Sequence, residues 1–262
     1  MSEPAKVYDE KKLKFNEKLG NGSFGIIFNV EYDNSPFVAK RSHDEEDDKY
    51  LKKEYEILKF LEEKHVCGVP KASFMFSFEG RWHFLLERLG TDLAKEVEKQ
   101  GKLSLRTTLN VAVQALKILE SIHKCAVIHN DLKPKNLMFG VESPPNLYLI
   151  DFGISTANFT DEDNQQVQNL QEIDAKSSEL IYSQTPEDAC RKGDLKMLAL
   201  TLIQVRTGDL KAQHGDIEGL EKEFEAFLED VENLSADVES TLMPDYSLFC
   251  SKFENALKNK KN

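Results

Sequence analysis

The pattern of apolar residues changes once along this chain of 262 residues, from strand-like to helix-like spacing, and this change restricts the possible folds. In the first third, short apolar or alternating runs are separated by Gly, Asn, Asp and Pro, as is typical of strands joined by turns. These runs are Phe15-Leu19, Ile26-Tyr32, Phe37-Lys40, Ser73-Phe78 and Trp82-Glu87, and one helix is predicted among them, from Asp47 to Lys64. From Asp92 onward the spacing predicts helices at Leu93-Lys99, Ser104-His123, Gly193-Thr207, Ile217-Leu234 and Tyr246-Lys258.

The change of pattern predicts a bilobal α+β fold within a single domain that spans residues 1–262. A small antiparallel β lobe with one helix is expected at residues 1–88, and a larger, mainly α-helical lobe at residues 89–262. The boundary falls where Gly90 gives the backbone conformational freedom. Because ligands favour clefts between lobes, we expect a pocket beneath the β lobe.

Composition limits the function classes. The net charge of −12 argues against direct nucleic-acid binding, because proteins that bind phosphate backbones normally present a basic face. The N-terminus has no apolar stretch of a secretory leader, and no run of about 18 apolar residues occurs that would cross a membrane. We therefore expect a protein of the cytosol or nucleus that does not contact membranes.

The segment from His129 to Asn136, followed by Asp151-Phe152-Gly153, carries the chemistry. Two carboxylates, a lysine and an asparagine at these spacings suit phosphoryl transfer from magnesium-ATP, which depends on positioning and charge neutralisation. Asp131 would orient the attacking hydroxyl, and Lys133 would lie beside the transferred phosphoryl group. Asn136 and Asp151 would hold Mg²⁺, for which Mn²⁺ is an alternative. The two motifs in this order resemble the catalytic core of the protein kinases.

A glycine-rich segment at Gly20-Asn21-Gly22-Ser23-Phe24-Gly25 would let backbone amides approach the phosphate oxygens of ATP. The same glycine spacing occurs in dinucleotide-binding folds, where a helix follows at once. Here the next residues, Ile26 to Tyr32, are β-branched and aromatic, which favours a strand and a hairpin. The context therefore favours the kinase type of loop.

Lys40 ends a short predicted strand and could reach the α- and β-phosphates if a carboxylate held it in place. Helical geometry selects Glu54 over Glu56 as that carboxylate: Glu54 lies about 60° from Leu51 and about 40° from Leu58 around the predicted helix, whereas Glu56 lies about 140° to 160° from both. A carboxylate on an apolar stripe is costly unless it is paired. We therefore predict a Lys40–Glu54 ion pair, the alternative being two separate surface charges.

Position within the kinase pattern assigns the residues around the purine. Leu85 and Leu86 would close the back of the pocket. The hinge residues that bond the base would be Glu87, Arg88 and Leu89. The residues that sandwich the purine would be Ile27 and Ala39 above and Met138 below. Each of these residues could equally be ordinary core.

Further segments resemble the casein kinase 1 group, which includes the vaccinia-related kinases, and the resemblance runs from about Phe15 to Leu257. The segments are Leu103-Ser104-Leu105-Arg106-Thr107-Thr108, Ile128 to Asp131, Asn146 to Gly153, Gly193 to Leu198, and Pro244-Asp245-Tyr246-Ser247. The resemblance implies a kinase that transfers the γ-phosphate of ATP to serine or threonine. It also implies that Asp194 braces the backbone of the segment from His129 to Asn136, which we call the catalytic loop.

The chain departs from the family at several positions. Asn130 replaces the arginine usual before the catalytic aspartate, so the protein is of the non-RD type and is not expected to depend on activation-loop phosphorylation. The segment from Ile154 to Gly193 lacks a convincing Ala-Pro-Glu, since Thr185-Pro186-Glu187 stands too close to Asp194. The region between the central helix and Pro244 is short. Peptide docking is therefore expected to differ from that of relatives.

The leading hypothesis is an active serine/threonine protein kinase with catalytic residues Asp131, Lys133, Lys40 and Glu54. The alternative is a catalytically weak pseudokinase or scaffold that binds nucleotide or a partner protein, and a kinase of small molecules is a third possibility. The partners implied are protein substrates, for which the acidic charge suggests basic sequences. The oligomeric state is left open.

Overall fold

A computed structural model describes residues 9–22, 25–160, 166–169, 191–213, 221–234 and 243–259. The chain divides into two compact units. Unit 1 comprises residues 1–65 and 70–89, and unit 2 comprises residues 66–69 and 90–262. The assignment of residues 1–262 to one domain with a lobe boundary after residue 88 stays a prediction.

Unit 1 is built on a five-stranded antiparallel sheet in the order β1-β2-β3-β5-β4. A short 3₁₀ helix, Glu10–Lys12, precedes the strands β1 (Leu13–Gly22), β2 (Gly25–Tyr32), β3 (Ser35–Arg41), β4 (Ala72–Phe78) and β5 (Arg81–Glu87). The turn from β2 to β3 is formed by Asp33 and Asn34, both with positive φ, which suits the twist of a two-residue hairpin. All five strands predicted from the sequence are confirmed.

One helix, α1 (Asp48–Glu63), packs against β4 and β5 of this sheet. Its buried residues recur at helical spacing and are Leu51, Glu54, Ile57, Leu58 and Leu61. On the sheet, a separate cluster of buried residues contains Val30, Ala39, Phe76 and Leu85, and several aromatic rings pack against it. The strand period of two places this aromatic cluster and the Lys40 side chain on opposite faces of the sheet.

Unit 2 is mainly helical. Its helices are α2 (Leu93–Gln100), α3 (Leu105–Lys124), α4 (Arg191–Thr207), α5 (Lys222–Glu232) and α6 (Tyr246–Asn259). Ser104 caps the start of α3 by accepting a hydrogen bond from the Thr107 amide. Helix α3 packs against α4 and α6, so it lies within the core of the unit. No described helix combines the length and the apolar character that a membrane crossing requires.

Short strands in unit 2 frame the catalytic loop. They are β6 (Val127–Ile128), β7 (Leu137–Phe139), β8 (Leu147–Leu149), β9 (Thr156–Thr160) and β10 (Gln166–Asn169), and a 3₁₀ helix, Pro134–Asn136, lies between β6 and β7. Strands β7 and β8 pair as an antiparallel hairpin, and β9 pairs with both β6 and β10. The loop from 129 to 133 therefore follows β6, which is paired with β9, and precedes the 3₁₀ helix and β7, which is paired with β8.

The α+β fold class is confirmed, with the sheet and one helix in the first part of the chain and helices in the second. Several details differ from the sequence prediction, among them the start of α4 at Arg191 rather than at Gly193. Glu221 is extended and forms the N-cap of α5, so that helix begins at Lys222, while residues 217–220 lie outside the described residues. Strands β9 and β10 were not predicted, because their residues show no apolar alternation.

Candidate active site

Lys40 and Glu54 form a buried ion pair in unit 1. The Lys40 Nζ atom lies 2.5 Å from Glu54 Oε2, and the two side chains are only 6% and 2% exposed. Glu56, on the same helix, is exposed. The pair predicted from helical geometry is therefore present, because the carboxylate on the apolar stripe of α1 finds the lysine at the end of β3. The action of this pair on a nucleotide stays a prediction.

The glycine-rich segment folds as the predicted hairpin of β1 and β2, and no helix follows it. Gly20 pairs with Ile27, Asn21 with Ile26, and Gly22 with Gly25. Ser23 and Phe24 lie outside the described residues. A Cβ atom on Gly25 would lie 2.5 Å from the Arg41 carbonyl oxygen, whereas a Cβ on Gly20 would meet nothing within 4 Å. Close packing of β2 on β3 therefore requires glycine at position 25.

Strand register corrects two residues predicted to line the purine pocket. Residues directly opposite in an antiparallel sheet share a face, and Lys40 lies opposite Ile27, while Val38 lies opposite Leu86. Ala39, which is adjacent to Lys40 on the strand, points to the other face and is buried in the aromatic cluster with Leu85. The assignment of Ala39 and Leu85 to a purine pocket beside Lys40 is therefore wrong. Val38 takes the place of Ala39 on that face.

The other residues predicted to contact the base lie as follows. Leu86 is 8% exposed at the end of β5. Glu87 forms two hydrogen bonds with Lys71. Its amide donates to the Lys71 carbonyl oxygen at 3.0 Å, and its carboxylate accepts from the Lys71 amide at 2.7 Å. Leu89 is half-buried. Met138 belongs to unit 2, where it forms an isolated bridge with Asp92.

The Asp131 carboxylate is the centre of a small cluster in unit 2. The Lys133 Nζ atom lies 2.9 Å and 2.6 Å from its two oxygens. The Asn136 Nδ2 atom donates to one of these oxygens and to the Asp131 carbonyl oxygen, both at 2.8 Å. Burial raises the pKa of the Asp131 carboxyl, and the charge of Lys133 opposes this rise. Three of the predicted catalytic and metal-binding side chains are thus in direct contact.

His129 holds the backbone of this cluster. Its Nε2 atom lies 3.0 Å from the Ile150 carbonyl oxygen, which only accepts, so Nε2 carries the proton. Its Nδ1 atom is then free to accept from the Asp131 amide at 3.2 Å. Complete burial lowers the pKa of His129, which keeps the ring neutral and preserves this acceptor. The histidine therefore acts on the orientation of the catalytic loop.

Asp194 braces the same loop from helix α4, as the family resemblance predicts. Its side chain is fully buried. Oδ2 accepts from the His129 amide at 2.8 Å, and Oδ1 accepts from the Asn130 amide at 2.9 Å. The position of Asp194 fixes two consecutive peptide groups immediately before Asp131.

Asn136 and Asp151 carry the oxygen atoms that suit a hard cation such as Mg²⁺. They are linked through their neighbours, because the Ile150 amide donates to the Asn136 carbonyl oxygen at 2.9 Å. Asp151 has a positive φ of 70°, an uncommon backbone state for a residue other than glycine. Among the described residues, no group of three or more His, Cys, Asp or Glu side chains could hold a metal ion. The assignment of Asn136 and Asp151 as Mg²⁺ ligands stays a prediction.

Asn130 contacts the chain just after Asp151-Phe152-Gly153. Its Nδ2 atom donates to the Ile154 carbonyl oxygen at 3.2 Å and lies 3.4 Å from Thr156 Oγ1. Most of the acidic segment that follows lies outside the described residues, and so does Thr185-Pro186-Glu187. At the start of α4, Lys192 Nζ donates to the Leu234 carbonyl oxygen at 2.9 Å.

Sequence reasoning missed two residues of this network, His123 and Tyr246. The His123 Nε2 atom lies 2.8 Å from Asp194 Oδ2, and the Nδ1 atom bonds the Tyr246 hydroxyl. A signal for His123 was present, because it continues the stripe of Leu116 and Leu119 on α3. The reasoning that selected Glu54 would have marked His123 as a polar residue on a buried face.

A five-stranded antiparallel sheet with one helix, followed by a mainly helical unit that carries these motifs, is the architecture of a protein kinase. The chain belongs to the protein kinase domain family, whose model matches residues 13–248.

Several curated relatives narrow this assignment. Serine/threonine-protein kinase VRK2 of Homo sapiens is 27% identical over 221 residues, which cover 77% of this chain and 40% of that protein. Casein kinase I homolog RAG8 of Kluyveromyces lactis is 32% identical over 149 residues, covering 54% of this chain and 27% of that protein. Casein kinase I homolog 1 of Saccharomyces cerevisiae is 31% identical over 151 residues, with the same two shares. The resemblance to the casein kinase 1 group is confirmed, and the chain spans less than half the length of these relatives.

Proposed function

We propose that the protein is a serine/threonine protein kinase that transfers the γ-phosphate of ATP to serine or threonine hydroxyls of proteins. The observation that carries this proposal is the contact of Lys133 and Asn136 with the single carboxylate of Asp131. A carboxylate held in this way orients the substrate hydroxyl and receives its proton as the oxygen attacks phosphorus. Lys133, whose ammonium group bonds this carboxylate, would bind the γ-phosphate when ATP is present.

The nucleotide side of the proposal rests on Lys40 and Glu54. A lysine held by a buried carboxylate presents its charge in one place, where it would bind the α- and β-phosphates. Glycine-rich backbone from Gly20 to Gly25 would cover the phosphates. Asn136 and Asp151 would hold Mg²⁺, which when bound neutralises phosphate charge. The face of the sheet that carries Ile27, Val38 and Leu86 together with Lys40 would contact the purine.

The proposal is tested by incubating the purified protein with Mg²⁺ and γ-labelled ATP, using casein and histone as acceptors. Asp131→Asn keeps the size of the side chain and removes its charge, so it is expected to lower label transfer by at least about 100-fold, the scale of general acid–base contributions. The matched control is Asp209→Asn, an exposed position that caps the Lys211 amide. Equal labelling by wild type and Asp131→Asn would refute the catalytic assignment.

Absence of label with all proteins would instead favour the scaffold alternative, which a nucleotide-dependent thermal shift then tests. A ligand at 100 times its dissociation constant stabilises the native state by about 2.7 kcal/mol. A shift with wild type that is lost in Lys40→Met, without turnover, would indicate nucleotide binding only. Turnover by wild type that depends on Asp131 would exclude the scaffold as the sole function.

We also propose that activity does not require phosphorylation of the segment after Gly153. In kinases with arginine before the catalytic aspartate, that cation binds an activation-loop phosphate. Asn130 carries no charge, and its amide is already bonded to the Ile154 carbonyl oxygen. Protein treated with a phosphatase until intact mass shows no phosphate is expected to keep its full rate. A large loss of rate, restored by rephosphorylation, would contradict this.

The net charge of −12 favours basic substrate sequences by long-range attraction. Matched serine peptides that differ only in arginine or glutamate flanks test this. We expect a higher kcat/KM for the basic peptide and a smaller difference at high salt, because salt screens attraction between exposed charges. Preference for the acidic peptide at low salt would remove the proposal.

A further inference from the structure

The first residue of helix α6, Tyr246, lies far along the chain from the catalytic loop but is connected to it. It belongs to the Pro244-Asp245-Tyr246-Ser247 segment that marks the family resemblance, and none of the roles above uses it. The Tyr246 hydroxyl bonds the Nδ1 atom of His123 on α3. The opposite nitrogen, Nε2, lies 2.8 Å from Asp194 Oδ2, and that same oxygen accepts from the His129 amide. Each link of this chain is buried.

The directions of these hydrogen bonds follow from which groups can donate and which can only accept. An ionised carboxylate only accepts, and Asp194 already accepts from the two backbone amides of the catalytic loop. The His123 Nε2 atom must therefore carry a proton and donate it to Asp194. In a neutral imidazole the other nitrogen is then an acceptor, and only a donor such as the Tyr246 O–H group satisfies it.

We propose that Tyr246 is a positioning residue for the catalytic loop. Through the Nε2–H tautomer of His123, it holds Asp194 in the orientation that fixes the His129 and Asn130 amides. The effect on catalysis rests on the kinase activity proposed above, whereas the effect on the tautomer and on the loop does not.

Burial and chemistry support this role. The hydroxyl is buried beside the negative charge of Asp194, and these two effects, with burial first, raise the pKa of Tyr246, so it remains a donor. The ring of Tyr246 also packs edge-on against His123, with centroids 5.8 Å apart. Packing of the ring and donation by the hydroxyl are separate contributions, and a phenylalanine keeps the first while it removes the second.

The first test observes the tautomer directly. Long-range proton–nitrogen NMR correlations distinguish the two neutral tautomers and the imidazolium, and the His123 signals are assigned by their loss in His123→Asn. Wild type is expected to show neutral His123 with the proton on Nε2 and a hydrogen-bonded Nδ1. In Tyr246→Phe the Nδ1 signal should shift to that of an unbonded nitrogen, or the ring should change its protonation. An Nδ1–H tautomer or an imidazolium in wild type would overturn the proposal.

The second test measures the loop and the reaction. In Tyr246→Phe, amide exchange at 129 and 130 is expected to accelerate about fivefold to tenfold, the change expected for one buried hydrogen bond. The value of kcat should fall by a similar factor of about five, with KM for ATP unchanged. The control Ala256→Gly weakens the same helix at a buried position without touching His123. Equal loop exchange in wild type and Tyr246→Phe, or equal acceleration in Ala256→Gly, would refute the positioning role.

The two proposals fail in different ways. An inactive wild type with the expected tautomer and exchange pattern would reject the kinase activity and keep the structural connection. An active wild type whose loop exchange and kcat do not respond to Tyr246→Phe would reject the connection and keep the kinase.

Discussion

His83 provides a quantitative test of the structure of unit 1. Its ring is 2% exposed within the aromatic cluster, stacked on Phe76 with centroids 5.2 Å apart and edge-on to Phe15 at 5.5 Å. The Nδ1 atom of the ring lies 3.0 Å from the Arg81 carbonyl oxygen. Burial, assisted by the charges of Arg41 and Arg81, lowers the pKa of His83 from 6.5 to about 4.

The sign of the effect on stability follows from linkage. The unfolded chain binds a proton to this histidine near pH 6.5, whereas the folded chain does so only near pH 4. The contribution of neutral His83 to the free energy of unfolding is therefore fully present above the unfolded pKa of 6.5. It is lost as the pH falls from there toward the folded pKa of about 4. The difference of pKa corresponds to about 3 kcal/mol when fully developed, of which about 2 kcal/mol is lost on acidification to about pH 5.

The chain offers a local probe for this measurement, since its single tryptophan, Trp82, adjoins His83 on β5. Urea unfolding followed by its fluorescence, at about pH 7.5 and about pH 5, gives the free energy of unfolding at each pH. His83→Phe keeps an aromatic ring in the cluster and removes the titration. The loss of stability on acidification should therefore be smaller in this variant by about 2 kcal/mol.

The matched control is His65→Asn, an exposed residue with positive φ that asparagine tolerates. This variant measures the effect of replacing an exposed histidine, against which the effect of His83→Phe is compared. The reasoning is refuted if His83→Phe loses stability to the same extent as wild type, because the folded pKa of His83 would then equal its unfolded value.

Three further predictions concern the candidate active site. Lys133→Met removes the charge that opposes the rise in the pKa of Asp131, so the acid limb of the pH profile of kcat/KM should move to higher pH. If the acid limb does not move, a group other than Asp131 sets it. Gly25→Ala places a Cβ 2.5 Å from a backbone oxygen of β3 and should cost about 1–3 kcal/mol in urea unfolding, whereas Gly20→Ala should stay within about 0.5 kcal/mol of wild type. Glu54→Ala leaves the β3 lysine without its buried partner carboxylate, and should lower the unfolding free energy by about 3 kcal/mol and raise KM for ATP, with isothermal titration of nucleotide as the check on binding.

The spacing of apolar residues was sufficient to predict the structure where a residue's surroundings depend only on its own helix or strand. The apolar stripe of α1 is a property of local spacing, and it selected Glu54 over Glu56 as the partner of Lys40. The β-branched run after Gly25 likewise predicted a strand, because side-chain shape acts locally on the backbone. The loop from 129 to 136 was recognisable because its residues are close in sequence.

The strand period of two also explains why the prediction for Ala39 was wrong. Adjacent residues of a strand point to opposite faces, so Ala39 could not share a face with Lys40. The register of β3 against β2 and β5 showed that Val38, Ile27 and Leu86 lie on the lysine face instead.

By itself, the sequence determined the α+β class, the Lys40–Glu54 pair and the residues of the catalytic loop, because each depends on spacing within one or two elements. Only the tertiary structure decided which distant groups hold that loop. Asp194 on α4 lies 71 residues after His123 on α3, and Tyr246 on α6 lies 123 residues after it, so no local pattern relates the three. Their connection arises because packing α3 against α4 and α6 buries polar groups that must then satisfy each other.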